Sequence, residues 1–142
     1  MNKVLKIFIR VNSGGTKLSY SDLLMSILTA AFSSDIKTLM QNLVEECSMS
    51  GFGVFGRDQV LKTCMLLTDS NPKFVLGNFS KGNILKIESN WDALVNSIRD
   101  AVHLLKDFGF SNSLWSGYII TTIALYLYKR RISYSKVSVE DK

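Results

Sequence analysis

The sequence predicts an all-α fold, an irregular bundle of about five to seven helices. Three observations point there. Hydrophobic residues make up 46% of the 142-residue chain and charged ones only 20%, which specifies a folded globule with a real core. There is a single proline, too few breakers for a sandwich rich in turns. Apolar residues also recur at helical spacing over long stretches, most clearly in residues 36–47 and 91–105. Residues 1–131 read as one helical domain and residues 132–142 as a polar tail.

Residues 2–12 fit two patterns. As a strand, Ile7, Ile9 and Val11 alternate with Lys6, Phe8 and Arg10. As a helix, Val4, Ile7, Phe8 and Val11 share one face and Lys3, Lys6 and Arg10 the other. Asn12 to Gly15 follow as a tight reversal, where glycine takes positive φ without a Cβ penalty. Ser19 with Asp22 three residues on reads as a helix start. Residues 19–32 are nearly apolar all round, which predicts a helix at the centre of the bundle. Ser33, Ser34 and Asp35 restart the chain. Ile36, Leu39, Met40, Leu43, Val44 and Cys47 then form one stripe.

The connection Ser50 to Gly56 is glycine-spaced but lacks the pattern of a phosphate loop. A helix from about Arg57 to Thr68 turns Val60, Leu61, Cys64 and Leu67 inward. Residues 69–82 read as a loop with a helical turn near Phe74 to Leu76. Asn90 or Ser89 starts the clearest helix, with Trp91, Leu94, Val95, Ile98, Val102 and Leu105 on its apolar face. His103 falls on the polar flank. Phe108 to Tyr128 is 21 residues without a charge. Its serines, threonines and Asn112 dilute it, and a helix from Leu114 to Tyr128 is about 22 Å long. That is short of the ~30 Å hydrocarbon core, so a buried helix is expected and no membrane partner. The expected core comprises Leu24, Ile27, Leu28, Leu39, Leu43, Leu94, Ile98, Val102, Ile119 and Ile123. From Ile132 on, a frayed end is expected.

Seventeen basic against twelve acidic residues leave a net charge of +5, which suits an anionic partner such as DNA. Cys47 and Cys64 lie far apart with no C-x-x-C spacing, and no secretory signal opens the chain. Both point to a reducing, cytoplasmic location. No second histidine, fixed carboxylate pair or Cys/His cluster completes a triad or a metal site.

One stretch is more specific than its turn. F-x-R-x-N-x-x-G-x-x-L-S, carried by Phe8, Arg10, Asn12, Gly15, Leu18 and Ser19, resembles the second motif of the GmrS-like family. These are domain-of-unknown-function proteins forming the N-terminal half of GmrSD-type, modification-dependent restriction enzymes. The family looks like a ParB/sulfiredoxin-type catalytic domain followed by a helical region. Its first motif, D-G-Q-Q-R, is absent; Gly56-Arg57-Asp58-Gln59 shares letters with it in the wrong order. A Trp-containing helix followed by an apolar helix ending in Ala124-Leu125-Tyr126-Leu127-Tyr128-Lys129 also resembles the family.

The resemblance implies the helical part of a bacterial defence protein that couples nucleotide hydrolysis to cutting modified DNA with a divalent metal. Arg10, Asn12 and Gly15 would then lie beside the nucleotide or DNA, with Phe8 and Leu18 packing the motif. The segment that carries the chemistry would be a missing N-terminal catalytic domain, and this chain alone would be inactive. No cofactor is expected in the chain itself. The other reading is a self-contained helical module that binds protein or nucleic acid through its basic first helix and tail. Leu5, Phe8 and Ile9 also suggest a homodimer through residues 2–12.

Overall fold

The computed structural model describes residues 3, 7, 20–73, 76–110 and 116–136. Among them the fold is all-α and contains no strand. Six helices follow one another: α1 (Tyr20–Ala31), α2 (Ile36–Met49), α3 (Arg57–Leu67), α4 (Lys81–Ser89), α5 (Trp91–Asp107) and α6 (Ser116–Arg130). Two 3₁₀ turns, Leu76–Asn78 and Tyr134–Lys136, complete the described chain. Lys3 and Ile7 are helical too, which at those two positions agrees with the helical pattern and not with the strand, and both are exposed.

The helices begin and end where their local chemistry dictates. Asp35 caps α2 by accepting from the Thr38 amide at 3.2 Å. Ser80 does the same for α4 from Asn83 at 3.3 Å. Four helices end in a Schellman turn, with a left-handed residue just past the last turn. Gly51 (φ 94°) and Gly109 (φ 76°) take that position after α2 and α5. Asp69 (φ 58°) and Arg131 (φ 54°) take it after α3 and α6, where a side chain costs about 1 kcal/mol. Asn90 joins α4 to α5 as a single residue. Its side-chain amide donates to the Lys86 carbonyl at 2.8 Å, so it closes α4 and leaves the start of α5 without a side-chain cap.

The core is organised around α5, not α1. Trp91, Leu94, Val95, Ile98, Ala101, Val102, Leu104 and Leu105 are all buried, and the face with Asp92, Asn96, Arg99, His103 and Lys106 is exposed. Helix α1 buries Leu23, Leu24, Met25 and Leu28 but exposes Ser26, Thr29, Ala30 and Ala31. The expectation of a central first helix fails because small and hydroxyl-bearing residues tolerate water.

Four expected core residues sit differently. On α2 the inner row is Ile36, Met40, Leu43 and Cys47, which leaves Leu39 at the edge, 36% exposed. On α6 the inner row is Ser116, Gly117, Ile120, Thr121, Ala124 and Leu127, and Ile119 and Ile123 are only half-buried against the core. Ile27 is likewise half-buried, whereas Leu24, Leu28, Leu43, Leu94, Ile98 and Val102 are buried as expected.

Two segments outside the predicted helices pack into the core. Phe52 and Phe55 plug the glycine-spaced turn into the core at 1% and 0% exposure. Residues 81–89, absent from the sequence-based helix assignments, form α4, with Ile84 and Ile87 buried. The expected frayed end is docked as far as Tyr134. Its amide donates to Asp100 at 3.0 Å, its hydroxyl donates to Asp107 at 2.5 Å, and its ring lies 5.5 Å from that of His103.

Candidate functional site

Phe8, Arg10, Asn12, Gly15 and Leu18 lie outside the described residues. The structure does describe what receives the chain immediately after them. Helix α1 opens with Ser21 and Asp22, and both are held by the start of α3. The Arg57 guanidinium donates to Ser21 Oγ at 3.0 Å and to Asp22 Oδ1 at 3.1 Å. Its Nε lies 3.8 Å from Asp58 Oδ1, and Ser21 donates to that carboxylate. One cation therefore binds two carboxylates and a hydroxyl. The side chains of Arg57, Asp22 and Asp58 are each about half exposed, so the pairs contribute only ~0–1 kcal/mol each. Their role is geometric: they hold the first turn of α1 against the start of α3.

Gln59, the next residue on α3, reaches the other way. Its amide donates to Thr121 Oγ1 at 3.0 Å, and Thr63 Oγ1 lies 2.8 Å from the same hydroxyl. Thr121 also donates to the Gly117 carbonyl at 2.9 Å. Gly56-Arg57-Asp58-Gln59 is thus an anchor that ties α3 to α1 on one side and α6 on the other. The sequence offered only its letters; the partners come from residues 35 to 62 positions distant and carry no local signal.

From the Asp22–Arg57 end, a groove of about 700 Å³ runs between α1 and α2. Its floor is Met25 and Met40, and Lys37 stands at its edge. No group of three or more His, Cys, Asp or Glu side chains suited to a metal occurs among the described residues. The two thiols are free and buried. Burial pushes Cys47 up to about 11 and Cys64 up to about 12, so neither is a thiolate nucleophile at neutral pH. Glu46 is held below the usual carboxylate range by the Arg99 guanidinium, which binds it at 2.6 and 2.7 Å and ties α2 to α5.

No helix among the described residues is long and apolar enough to cross a membrane. No protein-family model matches this chain, and no curated protein does either.

Proposed function

We propose that this chain is the helical part of a GmrS-like, nucleotide-dependent DNA restriction protein, inactive without the catalytic segment that carries D-G-Q-Q-R. The observation that carries the reading is the motif Phe8-x-Arg10-x-Asn12-x-x-Gly15-x-x-Leu18-Ser19 running directly into the first turn of α1. Support comes from the all-helical architecture and from the order of α5, which opens with Trp91, and α6, which ends in Tyr126-Leu127-Tyr128-Lys129. The anchor of Arg57 on Ser21 and Asp22 holds the first turn of α1, which follows the motif directly in sequence.

In this reading Arg10 binds a phosphate through its planar guanidinium. Asn12 orients the nucleotide or the catalytic loop. Nucleotide and divalent metal are bound by the joined protein and not by this chain. The partner of the bundle is that catalytic domain, and the substrate is DNA. The setting is bacterial defence in the cytoplasm.

The test has two parts. The parent gene should encode D-G-Q-Q-R upstream of Phe8. In the joined protein, Arg10→Ala and Asn12→Ala should abolish nucleotide-dependent cleavage of modified DNA while leaving helicity and melting temperature unchanged. A gene whose natural start is Met1, with no such motif before it, would refute the proposal. The self-contained interaction module would then take its place. That second reading draws on the exposed helical positions Lys3 and Ile7, the latter 55% exposed, and predicts self-association through residues 2–12 centred on Phe8.

A further inference from the structure

Two shallow grooves on the side of the bundle formed by α4, the first half of α5 and the end of α6 meet at Asn90. One, of about 510 Å³, is lined by Lys81, Leu85 and Lys86 of α4 together with Asn90. The other, of about 550 Å³, runs on from Asn90 past Asn96 to Lys129 and Arg131. Together they form a continuous track with four cations from two distant stretches of sequence.

Three acids near it have partners, of which only Asp69 is paired with a cation. Asp69 binds Lys129 at 2.6 Å, Asp100 accepts the Tyr134 amide, and Glu88 turns away to accept from the Ser33 amide at 2.7 Å. Lys81, Lys86 and Arg131 are exposed and form no ion pair among the described residues. The hydrogen-bonding groups of Asn90, Asn96 and Ser133, with the Asp100 carboxylate, line the space between the cations. Arg131 is also the residue held at φ 54°, the place a glycine would take at no steric cost.

We propose that this track binds the sugar–phosphate backbone of DNA. Spaced cations separated by hydrogen-bonding side chains match a line of phosphates, and such contacts carry no base readout. A membrane surface fits less well: it is flat, and the one large exposed apolar side chain lining the track among the described residues, Leu85, stands at one end. The inference deepens the reading above, since it rests on DNA as the partner, and it assigns that contact to a surface remote in sequence from the Phe8–Leu18 motif.

Backbone binding has a quantitative signature. Each phosphate neutralised contributes about −0.9 to the slope of log K against log salt concentration. Three unpaired cations give a slope of about −3 for the chain of residues 1–142 binding a short labelled duplex of mixed sequence. Lys86→Gln with Arg131→Gln should make the slope about 2 units shallower. Lys37→Gln with Lys106→Gln, an equal charge loss elsewhere on the surface, should leave the slope as in the parent chain. Lys86→Arg with Arg131→Lys should keep it as well, which separates charge from misfolding.

Equal loss in both glutamine pairs would mean diffuse attraction by net charge and would overturn the proposal. So would absence of duplex binding at low salt, or binding to phosphatidylserine vesicles with none to the duplex. None of these outcomes bears on whether D-G-Q-Q-R lies upstream, so the two proposals fail separately.

Discussion

Helix α6 is held from two sides by opposite means. Against α5 the contact is dry: Leu94, Ile98, Ala101 and Leu105 are fully buried and belong to the same core cluster as Ile120, Ala124 and Leu127. Against α3 it is polar: Gln59, Thr63 and Thr121 bond one another next to Gly117. Apolar burial contributes stability at ~25 cal/mol per Å² but is tolerant of small shifts in register. Hydrogen bonds contribute less on balance, yet they fix which residue stands opposite which. The bundle uses α5 to keep α6 bound and α3 to set its position along the axis.

Breaking the dry side should have the largest effect. Ile98→Ala removes a fully buried side chain from the middle of α5 and should cost about 2–5 kcal/mol in a denaturant titration. Leu43→Ala on α2 should fall in the same range, at the low end if the site collapses. On the polar side, Thr63→Val leaves the buried Thr121 hydroxyl with one partner fewer and should cost about 1–3 kcal/mol. The double change Thr63→Val with Thr121→Val should cost less than the sum of the two single changes, because neither hydroxyl is then stranded. A purely additive double mutant would show that the two residues do not act as a seam.

A third tie, Glu46 to Arg99, tests the same comparison at the surface. The guanidinium lowers the Glu46 carboxyl from its ordinary 4.5. A depressed folded value means the pair stabilises above pH 4.5 and loses that contribution as pH falls from 4.5 through the lower folded value. Both side chains are almost half exposed, so the full effect is below about 1 kcal/mol. Glu46→Gln should therefore be slightly less stable than the parent at pH 7, with the two curves converging below pH 4.5. A gap that widens in acid would contradict the assignment. The smallest expected change is a gain: Arg131→Gly relieves a left-handed backbone and should stabilise by about 0.5–1 kcal/mol while weakening DNA binding.

The dry side was legible from sequence and the polar side was not. Every apolar position assigned to α5, from Trp91 to Leu105, is buried, because a 3.6-residue stripe reports its own inner face. Helix α6 carries no such stripe. Its inner row mixes Ser116, Gly117 and Thr121 with Ile120 and Leu127, so periodicity favoured Ile119 and Ile123 instead. Helix α4 was missed for a similar reason: two buried isoleucines three apart in nine residues give too little pattern to distinguish from a loop. Leu39 reads as core because it shares a stripe with Met40 and Leu43, and only the packing decides which edge of a stripe faces water.

The candidate site divides in the same way. The motif from Phe8 to Leu18 is a short-range pattern that can be read along the chain. The Arg57 anchor and the Lys86–Arg131 track are assembled by the fold from segments tens of residues apart. In each case the local sequence showed only an ordinary charged residue at a helix end.

The central claim is that this bundle supports a nuclease without itself performing the chemistry. The most direct measurement is turnover by residues 1–142 with GTP or ATP, modified DNA and magnesium. The account predicts no nucleotide hydrolysis and no cleavage above buffer. General acid–base catalysis needs a positioned titratable group in a cleft, and the carboxylates at the α1–α3 junction are engaged by Arg57 and Ser21. Metal-dependent cleavage that persists through repurification would contradict it.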